Sequence, residues 1–278
     1  MTGIFDAHHH LWDTRVLDYG LFRRLAPALD RPFLLDEYER EARELGVTGS
    51  LWVEAASAGA DGTRELEWAT EHVDGSSIVE ALVAWVTLED ATGEDFDRLA
   101  GRRVVGVRRS FELEEPSFPL RVVRGAQLAG ERGLVVDVVL FPPALPAVLE
   151  LVDRCPGTQF VLDHLAKPEI AVGGWQPWAS QLRELARRPN IVAKLSGLVT
   201  EADRARWTVA DLRPYVEHAL ETFGPGRLLY GSDWPVLTLA GSHRRWLEAA
   251  LELLEPLSRE EREAVLAGNA RRIYLASS

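Results

Sequence analysis

The chain has 278 residues and carries 31 Lys and Arg against 43 Asp and Glu, which gives a formal net charge of −12. Hydrophobic residues make up 46% of the chain and charged residues 27%, a composition typical of globular proteins and not of disordered ones. An acidic chain without a concentrated basic segment is poorly suited to polyanionic partners, so we expect it to bind neither nucleic acid nor an anionic membrane.

The compartment is predicted from cysteine usage and from the lack of apolar segments. Cys155 is the single cysteine and cannot form an internal disulfide, which fits a reducing compartment. The first residues lack a basic, then apolar, leader pattern, and no run reaches the roughly 18 apolar residues that a membrane span needs. We therefore expect a cytoplasmic enzyme that acts on a small molecule, while the sequence indicates no particular oligomeric state.

Short apolar or β-branched runs recur along the chain, and longer segments with spaced apolar residues separate them. The predicted strands are Ile4–Ala7, Gly49–Glu54, Glu80–Val86, Val104–Arg108, Leu134–Leu140, Gln159–Asp163, Ile191–Ser196 and Leu228–Ser232. The predicted helices are Leu35–Leu45, Glu65–His72, Gly93–Leu99, Arg121–Glu131, Ala144–Arg154, Pro177–Arg188, Ala210–Phe223 and His243–Leu254. Repeated βα units indicate a parallel sheet with helices around it.

Eight such units in fewer than 300 residues favour an α/β fold in which residues 1–278 form one (β/α)8 barrel, a TIM barrel. The alternative, a doubly wound open sheet, is disfavoured because no Gly-x-Gly-x-x-Gly follows a predicted strand. A further C-terminal helix is predicted from Ser258, which has Glu261 three positions on as in a capping box, to about Tyr274. We expect this helix to pack across the barrel exterior.

Histidines follow the first predicted strand, and active sites of such barrels lie at the carboxyl ends of the strands. The run Asp6-Ala7-His8-His9-His10 places His8 and His10 on one face, because strand side chains alternate. Imidazole is both a metal ligand and a proton carrier near neutral pH. This pattern predicts that His8 and His10 point into the barrel mouth while His9 points away.

Two further strand ends carry reactive side chains. His164 follows the sixth predicted strand, and Asp233 follows the eighth, where Trp234 and Pro235 restrict its position. A fixed, partly desolvated carboxylate suits a general base or a metal ligand. The alternatives are a structural histidine and an Asx turn or helix cap, but we favour catalytic roles for His8, His10, His164 and Asp233.

Candidate substrate contacts come from the basic residues, of which 29 of 31 are Arg. The two lysines, Lys167 and Lys194, both fall at predicted strand ends, where a compact point charge would bind a substrate oxygen or carboxylate. One of Arg108 and Arg109 should face inward, and we expect it to be Arg108, with an exposed salt-bridging role as the alternative. An inward arginine would add to a cationic pocket within an acidic protein. Glu54, at the end of the second strand, could hydrogen-bond a substrate hydroxyl, ligate a metal or pair with an arginine, and Trp234 is a further predicted substrate contact.

Together these motifs resemble the amidohydrolase superfamily, in the branch that contains sugar lactonases and 2-pyrone-4,6-dicarboxylate lactonase. The resemblance rests on the segments Ile4–Asp13, Val105–Arg108, Leu162–Pro168, Lys194–Leu198, Tyr230–Pro235 and Gly268–Tyr274, in this order. It implies a distorted (β/α)8 barrel and hydrolysis of a cyclic ester. In this family His8 and His10 match the first-strand pair, His164 the sixth-strand histidine and Asp233 the eighth-strand aspartate.

The resemblance also bears on a metal cofactor. Metalloenzymes of the superfamily add a lysine or glutamate from strand 4 or a histidine from strand 5, and this chain has Arg108-Arg109 and Val138–Pro142 there. A binuclear centre is therefore not expected. One Zn²⁺ held by His8, His10 and Asp233, with help from Glu54, and a metal-free site both remain compatible with the sequence.

The function predicted on this basis is opening of a lactone ring, with an aldonolactone such as a fucono- or rhamnono-lactone as substrate. Asp233 would activate the attacking water, and the three histidines or a metal would stabilise the oxyanion. Alternatives are an acidic lactone such as a pyrone dicarboxylate or muconolactone, a metal-dependent decarboxylase of the aminocarboxymuconate-semialdehyde type, an amidase, and a non-catalytic binding protein. The last is disfavoured because a scaffold without activity has no physical need for His8, His10, His164 and Asp233 together.

Overall fold

The computed structural model describes residues 3–20, 24, 26–55, 62–112 and 114–276. Within these ranges eight parallel strands form one sheet in sequence order. They are β1 Ile4–His9, β2 Val47–Val53, β3 Val79–Trp85, β4 Val104–Ser110, β5 Val135–Val139, β6 Phe160–Leu162, β7 Ile191–Leu195 and β8 Leu228–Tyr230. Each overlaps one predicted strand, so the eight-strand prediction is confirmed.

The sheet closes between its first and last strands. The backbone N–H of Asp233 donates to the carbonyl of His8 (2.8 Å), and that of His10 donates to the carbonyl of Trp234 (2.7 Å). These bonds join the end of β1 to the segment that follows β8, which confirms the predicted (β/α)8 barrel. The residues that make them are the same ones that carry the predicted reactive side chains.

Helices surround the barrel, as the apolar spacing predicted. The described α-helices are α1 Leu35–Glu44, α2 Gly62–His72, α3 Gly93–Asp97, α4 Val123–Glu131, α5 Leu145–Arg154, α6 Trp178–Leu185, α7 Leu198–Glu201, α8 Val209–Phe223, α9 His243–Leu253, α10 Arg259–Glu263 and α11 Asn269–Tyr274. Short 3₁₀ turns precede α4 and α5, where the sequence pattern had predicted continuous helix. No helix in the described ranges is long and apolar enough to cross a membrane.

Two apolar clusters stabilise the fold. The larger lies between the strands and the surrounding helices. The smaller fills the barrel interior with side chains from the strands, among them Phe5, Leu51, Val161 and Leu229. The interior is therefore a packed core, and its upper part leaves room only for the polar groups of the site.

The C-terminal segment differs from the prediction in where it packs. Ser258 caps α10 with Glu261 as predicted, but one turn of π-helix over Ala264–Gly268 follows, and α11 covers the amino end of the barrel. Tyr274 belongs to the interior cluster, and Arg271 pairs with Glu80 near the start of β3 (2.7 Å). The helix thus closes the barrel from below, because the apolar residues at that end would otherwise meet water.

Candidate active site

The end of β1 places two of its three histidines inside the barrel. The pairing of β1 with β2 shifts register between Asp6 and His9, a bulge that redirects the side chains that follow. His8 and His10 face each other with their Nε2 atoms 3.1 Å apart. His9 points outward, stacks on Tyr38 at 3.8 Å between ring centroids, and its Nε2 lies 3.1 Å from Ser50 Oγ.

Asp233 approaches this pair from the opposite side of the seam between β8 and β1. Its Oδ1 lies 3.6 Å from His10 Nε2, 3.8 Å from His8 Nε2 and 3.9 Å from His164 Nε2. Four side chains from three strand ends, distant in the sequence, thus converge on one point. All four residues are buried.

His164 and Asp233 both sit on strained backbone. The four residues from His164 to Lys167 have φ between +48° and +60°, and Asp233 has φ of +60°. Left-handed conformations cost an L-residue roughly 1–2 kcal/mol each, and such strain is concentrated at functional sites. The left-handed turn lifts His164 to the site, where its Nδ1 lies 2.8 Å from Ser196 Oγ.

The electrostatics favour the neutral forms of His8 and His164 and the charged form of Asp233. Burial lowers the pKa of His8 and of His164 well below the ordinary value, and nearby cations lower that of His8 further. Burial opposes charge on Asp233 as well, but His164, His10 and Lys167 outweigh it, so its pKa lies below the ordinary value. His10 Nδ1 is 2.8 Å from the Val53 carbonyl, so it carries the hydrogen and Nε2 presents a lone pair.

This donor set fits a single divalent ion. Tetrahedral Zn²⁺ with bonds of about 2.0–2.1 Å separates its ligand atoms by about 3.3 Å, and the distances between His8 Nε2, His10 Nε2 and Asp233 Oδ1 are 3.1, 3.6 and 3.8 Å. Two imidazole nitrogens this close need a proton or a cation between them, because facing lone pairs repel. His8, His10 and Asp233 are thus able to hold a metal, as is the adjacent group of His8, Asp163 and His164.

Buried acids that the sequence interpretation missed lie beneath the histidines. Asp137 on β5 and Asp163 after β6 are fully buried, and both pair with Lys194 Nζ, at 2.5 and 2.9 Å. The same Nζ lies 3.1 Å from His8 Nδ1. Asp137 lies in the otherwise apolar strand Val135–Val139. A lone charge in such a strand could have been recognised from the sequence as a site residue, because a buried carboxylate requires a partner.

The predicted substrate contact by Lys194 is therefore corrected. Its side chain is 0% exposed inside the barrel, where it neutralises two carboxylates. Trp234 is also fully buried and packs against Phe33 (5.5 Å between ring centroids), so it supports the site from behind and does not line the cavity.

Of the three roles open to Glu54, the structure favours pairing with an arginine over contact with the substrate, because Glu54 lies behind Arg108. Arg108 Nε donates to Glu54 Oε1 (2.6 Å), and Arg108 Nη1 is 3.7 Å from Asp163 Oδ2. Arg108 does line the cavity, whereas Arg109 pairs with Glu89 (2.7 Å) and Glu114 (2.8 Å).

A cavity of about 180 Å³ opens above the histidine cluster. Its apolar lining includes Trp12, Ala26, Leu29, Val139, Val236 and Leu239, and its polar lining consists of His10, Arg108, Ser110, Glu112, His164, Lys167 and Asp233. Lys167 Nζ is 2.6 Å from Glu112 Oε1 and 3.7 Å from Glu201 Oε1. Both cations among the described lining residues are thus matched by acids, and the pocket is not the cationic one that the sequence suggested.

The chain is similar to known proteins over nearly its whole length. The amidohydrolase family model matches residues 5–275. An L-fucono-1,5-lactonase from Burkholderia multivorans is 33% identical, with 97% of this chain and 95% of the relative covered. A 4-sulfomuconolactone hydrolase from Rhizobium radiobacter is 29% identical over 84% of this chain and 76% of the relative.

A solved structure extends the likeness to three dimensions. A crystal structure of an amidohydrolase from Burkholderia multivorans with bound zinc has a TM-score of 0.90 and 31% identity, with 98% of this chain and 99% of that chain covered. The family model spans nearly the whole barrel, including the three strand ends that carry the four converging side chains. The chain is therefore an enzyme of the amidohydrolase family.

Proposed function

We propose that this enzyme is a lactonase whose substrate is a neutral sugar lactone, an aldonolactone of the L-fucono- or L-rhamnono-lactone type. The observation that carries the proposal is the convergence of Asp233 Oδ1 with the Nε2 atoms of His8 and His10 at the inner end of the cavity. The likeness to an L-fucono-1,5-lactonase over nearly the full length of both chains supports the same activity.

The cavity favours a small, uncharged substrate. Its volume of about 180 Å³ is below the roughly 300–1,000 Å³ of sites for drug-sized ligands. The pairing of Arg108 with Glu54 and of Lys167 with Glu112 neutralises both cations among the lining residues that the structure describes. Glu112, whose pKa is lowered by Lys167 against the effect of burial, offers a carboxylate to substrate hydroxyls. An aldonolactone carries several such hydroxyls and no charge.

In the proposed mechanism Asp233 accepts a proton from the water that attacks the lactone carbonyl. The C–O bond of the ring then breaks, and Asp233 returns the proton to the departing oxygen, which gives a hydroxy acid. In this proposal His164 takes the tautomer with its hydrogen on Nε2, which it donates to a substrate oxygen, while Nδ1 accepts from Ser196 Oγ, 2.8 Å away.

We further propose that His8, His10 and Asp233 hold one divalent ion, with Zn²⁺ as the first candidate. His10 Nδ1 donates its hydrogen to the Val53 carbonyl, so Nε2 is the nitrogen of this ring that faces the site as a ligand atom. When bound, the ion would polarise the carbonyl and lower the pKa of the attacking water. Metal-free catalysis is the alternative, and it would require His8 and His164 to supply the donors by themselves.

The test is a pH-indicator screen of aldonolactones beside acidic lactones, with and without a chelator. We expect turnover of a hexono-lactone, with loss on chelation and recovery with Zn²⁺. Preferential turnover of a muconolactone, the chemistry of the sulfomuconolactone hydrolase relative, would contradict the neutral substrate. Release of carbon dioxide from an aromatic or muconate carboxylate, without turnover of any lactone, would replace the lactonase proposal by a decarboxylase.

A further inference from the structure

A continuous set of polar contacts connects the C-terminal helix to the catalytic cluster. Tyr274 Oη donates to Asp137 Oδ1 (2.6 Å), and Lys194 Nζ donates to Asp137 Oδ2 (2.5 Å). Lys194 Nζ also contacts Asp163 Oδ1 (2.9 Å) and His8 Nδ1 (3.1 Å). Tyr274 is 3% exposed, and the others are fully buried, so water does not weaken these contacts.

Tyr274 contacts the lysine in a second way. The Nζ of Lys194 lies 5.5 Å from the centroid of the tyrosine ring, within the range of a cation–π contact. The ring therefore limits the movement of the ammonium group from below, while the hydroxyl fixes the carboxylate that the ammonium binds. Tyr274→Phe would keep the contact between the ring and Lys194 and lose only the hydrogen bond from the hydroxyl to Asp137.

The helix that carries Tyr274 is itself firmly attached to the barrel. Asn269 Nδ2 donates to the carbonyls of Pro225 (2.7 Å) and Leu228 (2.8 Å). Arg271 pairs with the carboxylate of Glu80 through its Nη1 and Nη2 atoms. The turn of π-helix at Ala264–Gly268 precedes α11, and single turns of π-helix are frequent at functional sites. The tyrosine hydroxyl is thus held by rigid elements at one end and by Asp137 at the other.

We propose that Tyr274 is a positioning residue, which acts through Asp137 and Lys194 to fix the ring of His8 in the catalytic cluster. The inference rests on the proposed function in that His8 belongs to the reacting site. His8 Nδ1 has two polar neighbours, Lys194 Nζ and Asp163 Oδ1, at 3.1 and 3.3 Å. The position of the ammonium group determines whether His8 Nδ1 contacts Lys194 or Asp163. It thereby also determines how His8 Nε2 is oriented towards His10 and Asp233.

A purely structural role for Tyr274 makes a different prediction. If the side chain only fills the lower barrel, Tyr274→Phe should alter stability slightly and leave the histidine cluster unchanged, because the ring remains. If the side chain positions His8, loss of the hydroxyl should change the environment of the His8 ring and lower kcat. Partners behind metal-binding or catalytic histidines typically change affinity or activity about 10–100-fold when removed.

The experiment compares Tyr274→Phe with Tyr215→Phe. Tyr215 is a matched control, because it is also buried and its hydroxyl donates to the Gly174 carbonyl (3.2 Å), outside the catalytic cluster. Three readouts are used: the side-chain ¹⁵N resonances of His8 in ¹⁵N-histidine-labelled protein, the affinity for Zn²⁺ measured against a chromophoric chelator, and kcat and KM with the best lactone. Thermal unfolding shows that each variant is folded.

We expect Tyr274→Phe to shift the His8 resonances, to weaken Zn²⁺ binding and to lower kcat about tenfold with little change in KM, because the cavity lining is untouched. Tyr215→Phe should change none of these. Asp137→Asn should reproduce the effect, and adding Tyr274→Phe to it should cause little further loss. His8 resonances in Tyr274→Phe that coincide with those of the unmodified enzyme would overturn the inference, whatever the activity. Failure to turn over any lactone, with the His8 shift present, would contradict the proposed function alone.

Discussion

Gly197 lies against the imidazole of His164. A Cβ placed on Gly197 would come 2.5 Å from His164 Nδ1, and the residue has φ of +65°. Glycine is required here for two separate reasons, since a side chain would strain the backbone and would also displace the ring. The loop after β7 thus fixes the position of a histidine that belongs to the loop after β6.

The two reasons can be separated by a matched pair of variants. Gly173 has φ of +67° and nothing within 4 Å of an added Cβ, so Gly173→Ala introduces the strain without the collision. We expect both alanines to lower the free energy of unfolding by about 1–2 kcal/mol, measured in urea. Only Gly197→Ala should also reduce kcat strongly. Equal activity of the two variants would show that His164 does not need this position.

Replacement of the proposed base is the second prediction. Asp233→Asn should lower kcat by about 10²–10⁴-fold, the range for loss of a general acid–base group. Asparagine tolerates the left-handed φ of +60°, so the fold should persist. Asp153→Asn, which alters an ion pair with Arg188 at the protein surface, is the control. Near-normal kcat in Asp233→Asn would remove Asp233 from the mechanism.

The third prediction concerns the ion pair of Arg108 with Glu54, both almost fully buried. Arg108→Met leaves Glu54 without its cation and should cost about 3–5 kcal/mol of unfolding free energy. Adding Glu54→Gln removes the stranded charge, so the double variant should recover a substantial part of the loss.

Arg124→Met is the matched control, because Arg124 and Glu131 form an exposed pair worth about 0–1 kcal/mol. Urea unfolding of Arg108→Met, Glu54→Gln, the double variant and Arg124→Met measures the coupling free energy between Arg108 and Glu54 and compares it with the control. Additive losses for Arg108→Met and Glu54→Gln would mean that the pair contributes no coupling energy.

Selectivity for charge gives the fourth prediction. Glu112→Gln removes the carboxylate 2.6 Å from Lys167 Nζ and leaves this cavity-lining cation paired, among the described residues, only with the more distant Glu201, at 3.7 Å. A hydrogen bond to a charged group contributes about 1.5–3 kcal/mol, so kcat/KM for an acidic lactone should rise at least about tenfold relative to that for a neutral one.

Glu114→Gln, next to Arg109, should leave this ratio unchanged. The ratio is measured with one aldonolactone and one carboxylated lactone of the same ring size. A ratio that stays constant in Glu112→Gln would show that Glu112 does not set the charge preference.

Metal binding is the fifth prediction. Free Zn²⁺ at a hundredfold excess over its Kd should stabilise the folded chain by about 2.7 kcal/mol, seen as a rise in Tm that a chelator reverses. His10→Gln should abolish the shift, because it removes one of the three donors. His72→Gln, on the exposed end of α2, should retain it. A Tm independent of Zn²⁺ in the unmodified enzyme would favour the metal-free mechanism.

Much of the fold was predictable from local patterns. Each strand and each helix can be recognised from the spacing of its own apolar residues. Active sites of such barrels lie at the carboxyl ends of the strands, which predicts that His8, His10, His164 and Asp233 lie at the same end of the barrel. The alternation within β1 also predicted that His9 points away. These inferences need only the period of the side chains and the parallel direction of the strands.

Other features depended on contacts between residues far apart in the chain. Lys194 is at an apolar strand end in the sequence, and only the register of β5, β6 and β7 places it beside Asp137 and Asp163. Tyr274 terminates an ordinary amphipathic pattern, and only the closure of the barrel shows that this pattern faces inward from below.

The sequence by itself thus determined which elements form and which reactive groups stand at their ends, because hydrophobic periodicity and strand direction are local properties. The tertiary structure decided which charges neutralise each other. Lys167 pairs with Glu112 across 55 positions and Lys194 with Asp137 across 57, and these pairs turn two presumed substrate cations into balanced ones. The reason is physical: a buried charge is stable only beside its counter-charge, and the stagger and closure of the barrel determine which counter-charge lies within reach.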